Sequence, residues 1–112
     1  MSFLGWLKGK FSRRQMTLAL YRSGMQKAKK DDHAGAISDY TASIGASDIP
    51  ADVKAMALYN RALSYSHIDE IGKAEKDLEA VLKMPDAPEK IKVAASQRRQ
   101  RLRRRADADP TR

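Results

Sequence analysis

The stretch "ALYNRALSYSH", Ala57 to His67, decides the fold. Wound at 3.6 residues per turn, the helix through it carries two apolar stripes: Leu58, Ala62 and Tyr65 on one side, Tyr59, Leu63 and the preceding Met56 on another. A helix lying on a surface needs only one such stripe. Two stripes call for neighbours on more than one side. The rest of the chain can supply only helices as those neighbours. Aromatic residues make up 6% of the 112 residues, glycine and proline stand at isolated points, and the β-branched runs that announce strands are missing. The chain is therefore expected to be all-α.

Working outward, the stretch has a copy 38 residues upstream. Ala19-Leu20-Tyr21 falls on Ala57-Leu58-Tyr59, Asp31 on Asp69, Ala36 on Ala74, Asp39 on Asp77, Ala42 on Ala80, Pro50 on Pro88 and Lys54 on Lys92. Conservative pairs fill in between, among them Gly24 with Ala62, Met25 with Leu63 and Tyr40 with Leu78. Each copy reads as two helices. The first begins near Ser12, where "SRRQ" offers a capping box, and runs to about Lys30. Asp31-Asp32 closes it and caps a second helix striped by Ala36, Ile37, Tyr40 and Ile44. The next copy runs from about Ala51 to His67, turns at Asp69-Glu70, and continues with Ile71, Ala74, Leu78, Val81 and Leu82 on one face. Pro85 and Pro88 bracket the next break. A fifth helix from about Glu89 places Ile91, Ala95 and Leu102 on one side.

This pattern resembles the tetratricopeptide repeat: a small residue in the first helix (Gly24, Ala62), an alanine twelve later (Ala36, Ala74), a large residue four beyond (Tyr40, Leu78) and a closing proline (Pro50, Pro88). "YNRALSY" and "GKAEKDLEAVL" look most like the family. The family repeat is about 34 residues, so each linker here is some four residues longer. Leucine stands at the tryptophan position (Leu20, Leu58) and Lys27 at the first tyrosine position. The resemblance implies an α-solenoid of two helix-turn-helix repeats plus a C-terminal capping helix. Its divisions would be a basic amphipathic leader at 1–11 and a repeat domain at 12–105. Within that domain the repeats cover about 17–50 and 55–88 and the cap about 89–105, with a disordered tail at 106–112.

In such a solenoid the first helix of each repeat lines a concave groove. The resemblance places Leu18, Tyr21, Arg22, Met25 and Lys29 there from the first repeat, and Met56, Tyr59, Asn60, Leu63, Ser66 and His67 from the second. Gln97, Arg98, Arg101 and Arg105 would join them from the last helix, while Leu58, Ala62 and Tyr65 would be core. Asn60 and Arg98 match positions where some members clamp a terminal carboxylate; Tyr21 and Gln97 do not. The implied function is a non-enzymatic adaptor holding a peptide or partner helix, with an acidic segment as the natural ligand. The exposed apolar groups could equally be covered by residues 1–11 or by a second copy in a homodimer.

Charge is unevenly placed. Residues 1–30 hold eight bases and no acid, residues 31–97 twelve acids and seven bases, and residues 98–112 seven arginines and two aspartates, within a net charge of +8. Basic ends around an acidic middle point to interaction surfaces at the ends. The run "RRQRLRRR", Arg98 to Arg105, is the alternative functional element, through nucleic acid. The leader is another, since Phe3, Leu4, Trp6 and Leu7 beside Lys8 and Lys10 could meet an anionic membrane surface. No window approaches the roughly 18 apolar residues of a membrane span, and the opening residues lack a secretory cleavage site, so a cytoplasmic location is expected. With no cysteine, thiol nucleophiles and thiolate metal sites are excluded. His33 and His67 lack metal-ligand spacing, and no nucleophile elbow or phosphate-binding glycine loop occurs. Neither a catalytic residue nor a cofactor or metal is expected.

Overall fold

The computed structural model describes residues 12–111, which form five helices with no strand among them. These are α1 (Arg13–Lys29), α2 (His33–Ile44), α3 (Ala51–His67), α4 (Ile71–Lys83) and α5 (Glu89–Ala108). No helix among the described residues is long and apolar enough to cross a membrane. The leader residues Phe3, Leu4, Trp6 and Leu7 lie outside the described residues.

Local chemistry sets the boundaries. The Gln15 amide donates to the Ser12 hydroxyl at 3.1 Å and the Ser12 amide to Gln15 Oε1 at 2.9 Å, so the expected capping box opens α1. At the other end, the Asp32 amide returns to the Lys27 carbonyl at 2.9 Å, with Asp31 at a φ of 61°. The second turn repeats this 38 residues on: the Glu70 amide reaches the Tyr65 carbonyl at 2.8 Å and Asp69 has a φ of 63°. Aspartate tolerates this left-handed region better than most residues, which explains its recurrence. Asp32 then caps α2 through the Gly35 amide at 2.9 Å. Glu70, at the position equivalent to Asp32, makes no side-chain cap bond. Its extra methylene carries the carboxylate past the amides that a capping aspartate reaches.

Burial follows the two-stripe reading of α3, with one correction. Ala55, Leu58 and Ala62 join Ile71, Ala74, Leu78, Val81, Ala95 and Leu102 in one core. Ala57 instead joins Tyr21, Ala36 and Tyr40 in another. Tyr65, expected in the core, is half-buried and packs against its edge, with the Arg61 guanidinium and the Lys73 ammonium each 5.7 Å from its ring centre. Each helix packs on the next in sequence, and α3 also meets α1 and α5; among the described residues no other pair of helices is in backbone contact. The last helix runs to Ala108, so residues 106–108 belong to it, not to the tail expected from residue 106.

The 38-residue period reappears in side-chain contacts. Ser23 donates to Asp39 at 2.6 Å, and at the equivalent positions Arg61 grips Asp77 with two hydrogen bonds of 2.8 and 2.7 Å. Asp77 keeps only 7% of its side-chain surface. Its planar two-point contact is the geometry in which arginine binds carboxylate best.

Candidate partner-binding cleft

A cleft of about 290 Å³ lies where α1, α2 and α3 meet. From α1 it takes Met25, Ala28 and Lys29; from α2, His33 and Tyr40; from α3, Asn60, Leu63, Ser64 and His67. Its walls are thus side chains held on three packed helices, which gives them fixed positions. A broader depression of about 840 Å³ runs between the linkers at 45–50 and 84–86, with Lys54 and Lys83 among its lining, and much of its wall is linker.

Helix register explains what meets in the cleft. Met25 and Lys29 are four apart on α1, as Leu63 and His67 are on α3. His33 is the first residue of α2 and His67 the last of α3. Their imidazoles stack face to face, with centres 4.4 Å apart and planes 4° from parallel. Ser64 Oγ lies 3.3 Å from His33 Nδ1, and the exposed Asp31 carboxylate lies 3.6 Å from Nε2.

Behind the cleft, Asn60 donates to the Tyr21 hydroxyl at 2.9 Å and so joins α3 to α1. Burial raises the Tyr21 phenol above its ordinary range, and the Asn60 contact partly opposes the rise. Tyr40 is pushed up to about 12, mainly by burial and further by neighbouring Tyr21 and Asp39. Both phenols therefore stay neutral near pH 7. The cleft offers a thioether, an aliphatic side chain and stacked rings for apolar contact, with an ammonium and an amide at hand for polar groups.

Of the residues expected in a groove, Met25, Lys29, Asn60, Leu63 and His67 share this cleft. Tyr21 is instead buried, with 6% of its surface left. Met56 packs on the core of Tyr21, Ala36 and Tyr40, and Tyr59 on the core of Leu58, Ala62 and Leu78. Leu18 and Ser66 are half-buried, Ser66 turning its hydroxyl to the Leu63 carbonyl. Arg22 is exposed and borders a depression with Gln15, Met16 and Ala19. Arg98 is half-buried, and its Nε, itself buried, has no hydrogen-bond partner. Gln97, Arg101 and Arg105 are exposed. No α5 residue lines the cleft.

Sequence reasoning missed His33, Tyr40, Ala28 and Ser64. For His33 the available signal was its place at a helix end beside a repeated turn, as for His67. Among the described residues, no group of three histidine, aspartate or glutamate side chains could hold a metal ion. No protein-family model matches the chain, and neither a curated protein nor a solved structure matches it.

Proposed function

We propose that α1–α4 form two tetratricopeptide-like units capped by α5, and that the chain is a non-enzymatic cytoplasmic adaptor holding a peptide or partner helix. The observation that carries this reading is the cleft, where Met25, Leu63 and the stacked histidines offer apolar contact beside Lys29 and Asn60. Apolar anchors with a few placed polar groups are what a peptide side chain needs to dock. The repeated turns at Asp31 and Asp69 and the repeated contacts to Asp39 and Asp77 support the two-unit architecture. A ligand with acidic groups next to an apolar anchor would complement Lys29.

The test is selection from a displayed random-peptide library, followed by affinity measurement on wild type and on the double variant Lys29→Glu/Leu63→Gln. Neither position is fully buried, so the variant should keep its helicity and lose about 1 kcal/mol of stability or less. Peptides that bind wild type and weaken tenfold or more on the variant support the reading. Selected peptides that bind both forms equally would overturn it.

A further inference from the structure

The C-terminal half of α5 is built unlike any other part of the fold. Elsewhere, cations that face acids are tied down: Lys27 to Asp39 at 3.0 Å and Arg61 to Asp77 at 2.7 Å. None of the ion pairs among the described residues involves the six arginines from Arg98 to Arg105. Arg101, Arg103, Arg104 and Arg105 are exposed, and α5 buries no residue after Leu102. Leu102 and Ala95 thus pin the helix to the body, and beyond Leu102 it carries exposed Arg103, Arg104 and Arg105, followed by Ala106, one acid, Asp107, and Ala108.

The arrangement of that charge selects the partner. At 100° per residue, Arg103 lies on the flank opposite Arg101 and Arg105, while Arg104 points directly away from the flank midpoint nearest Leu102. Cations therefore stand on both flanks and on the outer face. A peptide laid along the helix would engage one stripe of them. A lipid surface needs an apolar face, and the helix's buried apolar residues, Ala95 and Leu102, are turned into the core. The major groove of duplex DNA is about 12 Å wide, admits one α-helix, and has phosphates along both walls. The corresponding groove of A-form RNA is too deep and narrow.

We infer that the arginine-rich end of α5 seats in the major groove of duplex DNA, held by phosphate contacts from both flanks and indifferent to sequence. The experiment is fluorescence anisotropy of the full chain with two unrelated labelled duplexes of about 20 bp, between about 50 and 200 mM salt. Both duplexes should bind alike, with log affinity falling linearly with log salt. The triple variant Arg103→Gln/Arg104→Gln/Arg105→Gln should keep its helicity, lose tenfold or more in affinity at the lowest salt, and flatten the slope by about 3, near one unit per lost phosphate contact. The corresponding triple lysine variant should retain most of the slope. An unchanged affinity and slope in the glutamine variant would overturn the proposal. So would tighter binding to polyglutamate, anionic vesicles or an RNA duplex than to DNA.

Discussion

The α1–α2 and α3–α4 pairs place the same contacts at positions 38 apart and fill them with different chemistry. Where α1 meets α2, Thr17 and Ser43 are both buried, and Ser43 donates to the Thr17 carbonyl at 3.2 Å. The equivalent seam in the second pair is Ala55 against Val81, wholly apolar and wholly buried. At the next layer the first pair combines Gly24 with Tyr40, and the second Ala62 with Leu78. A methyl group added at Gly24 would stand 2.6 Å from the Tyr40 ring. The pairs thus conserve total volume and not residue size, the condition under which a helix contact tolerates change. Repeat register therefore resides in paired positions.

The largest effect is expected from a charge at the position that both pairs keep identical. Ala36 and Ala74 are each fully buried, so Ala36→Arg and Ala74→Arg should each destabilise by about 4 kcal/mol, enough to lower the thermal midpoint drastically. If either variant melts like wild type, the shared register is wrong at that layer.

The acid contacts should separate the pairs next. Arg61→Ala leaves the buried Asp77 carboxylate without its guanidinium and should cost about 3 kcal/mol in denaturant unfolding. Ser23→Ala leaves Asp39 with Lys27, whose side chain is 41% exposed, and should cost about 1 kcal/mol. Equal losses at the two sites would mean that the two acid contacts are energetically alike.

Exchanging the volume pair should separate the helix pairs further. Gly24→Ala alone should lose about 2 kcal/mol through overpacking against Tyr40, although alanine is the better helix former. Combined with Tyr40→Leu, the double variant should be more stable than the sum of the single losses implies, by about 1 kcal/mol in a double-mutant cycle. Strict additivity would mean that the two positions do not share one space.

The pH dependence gives the smallest signal. The Ser23 hydroxyl, and after it Lys27, hold Asp39 below the usual carboxylate range. A depressed folded-state value stabilises the fold above the ordinary carboxylate pKa and ceases to do so as pH falls through the depressed one. Asp39→Asn should therefore flatten the acid limb of the stability curve by about 0.5 kcal/mol, screening by solvent having reduced the effect. Tyr40 acts at the other end: its stabilising contribution is complete below pH 10 and is lost as pH climbs toward about 12. Tyr40→Phe should flatten that alkaline limb.

Features governed by neighbours in sequence were legible. Ser12 and Gln15 announced the start of α1, the prolines announced α3 and α5, and the recurrence of Asp31 and Asp69 located both tight turns. Leu58, Ala62, Ala74, Leu78 and Leu102 were placed correctly because their stripes have a clear centre. Tyr21, Tyr59 and Tyr65 were harder, because each stands at a stripe edge. There the width of the adjoining helix, not periodicity, decides whether a ring is covered. The cleft was half legible. Five of its residues lie on the α1 and α3 faces that the repeat register points outward. The stacking of His33 on His67 depends on two helix ends meeting in space, and a spacing of residues along one chain does not encode that meeting.

The division of α3 between the two cores has a consequence for how the molecule comes apart. Ala57 serves the core of Tyr21 and Tyr40, and Ala55, Leu58 and Ala62 the core of Leu78 and Val81, while Asn60 ties α3 to Tyr21 on α1. Neither helix pair can open without stripping one side of α3. In native-state hydrogen exchange its central amides should therefore open only with global unfolding, and the last turns of α5, beyond Leu102, should exchange first. The helix with two apolar stripes makes two similar halves a single cooperative unit.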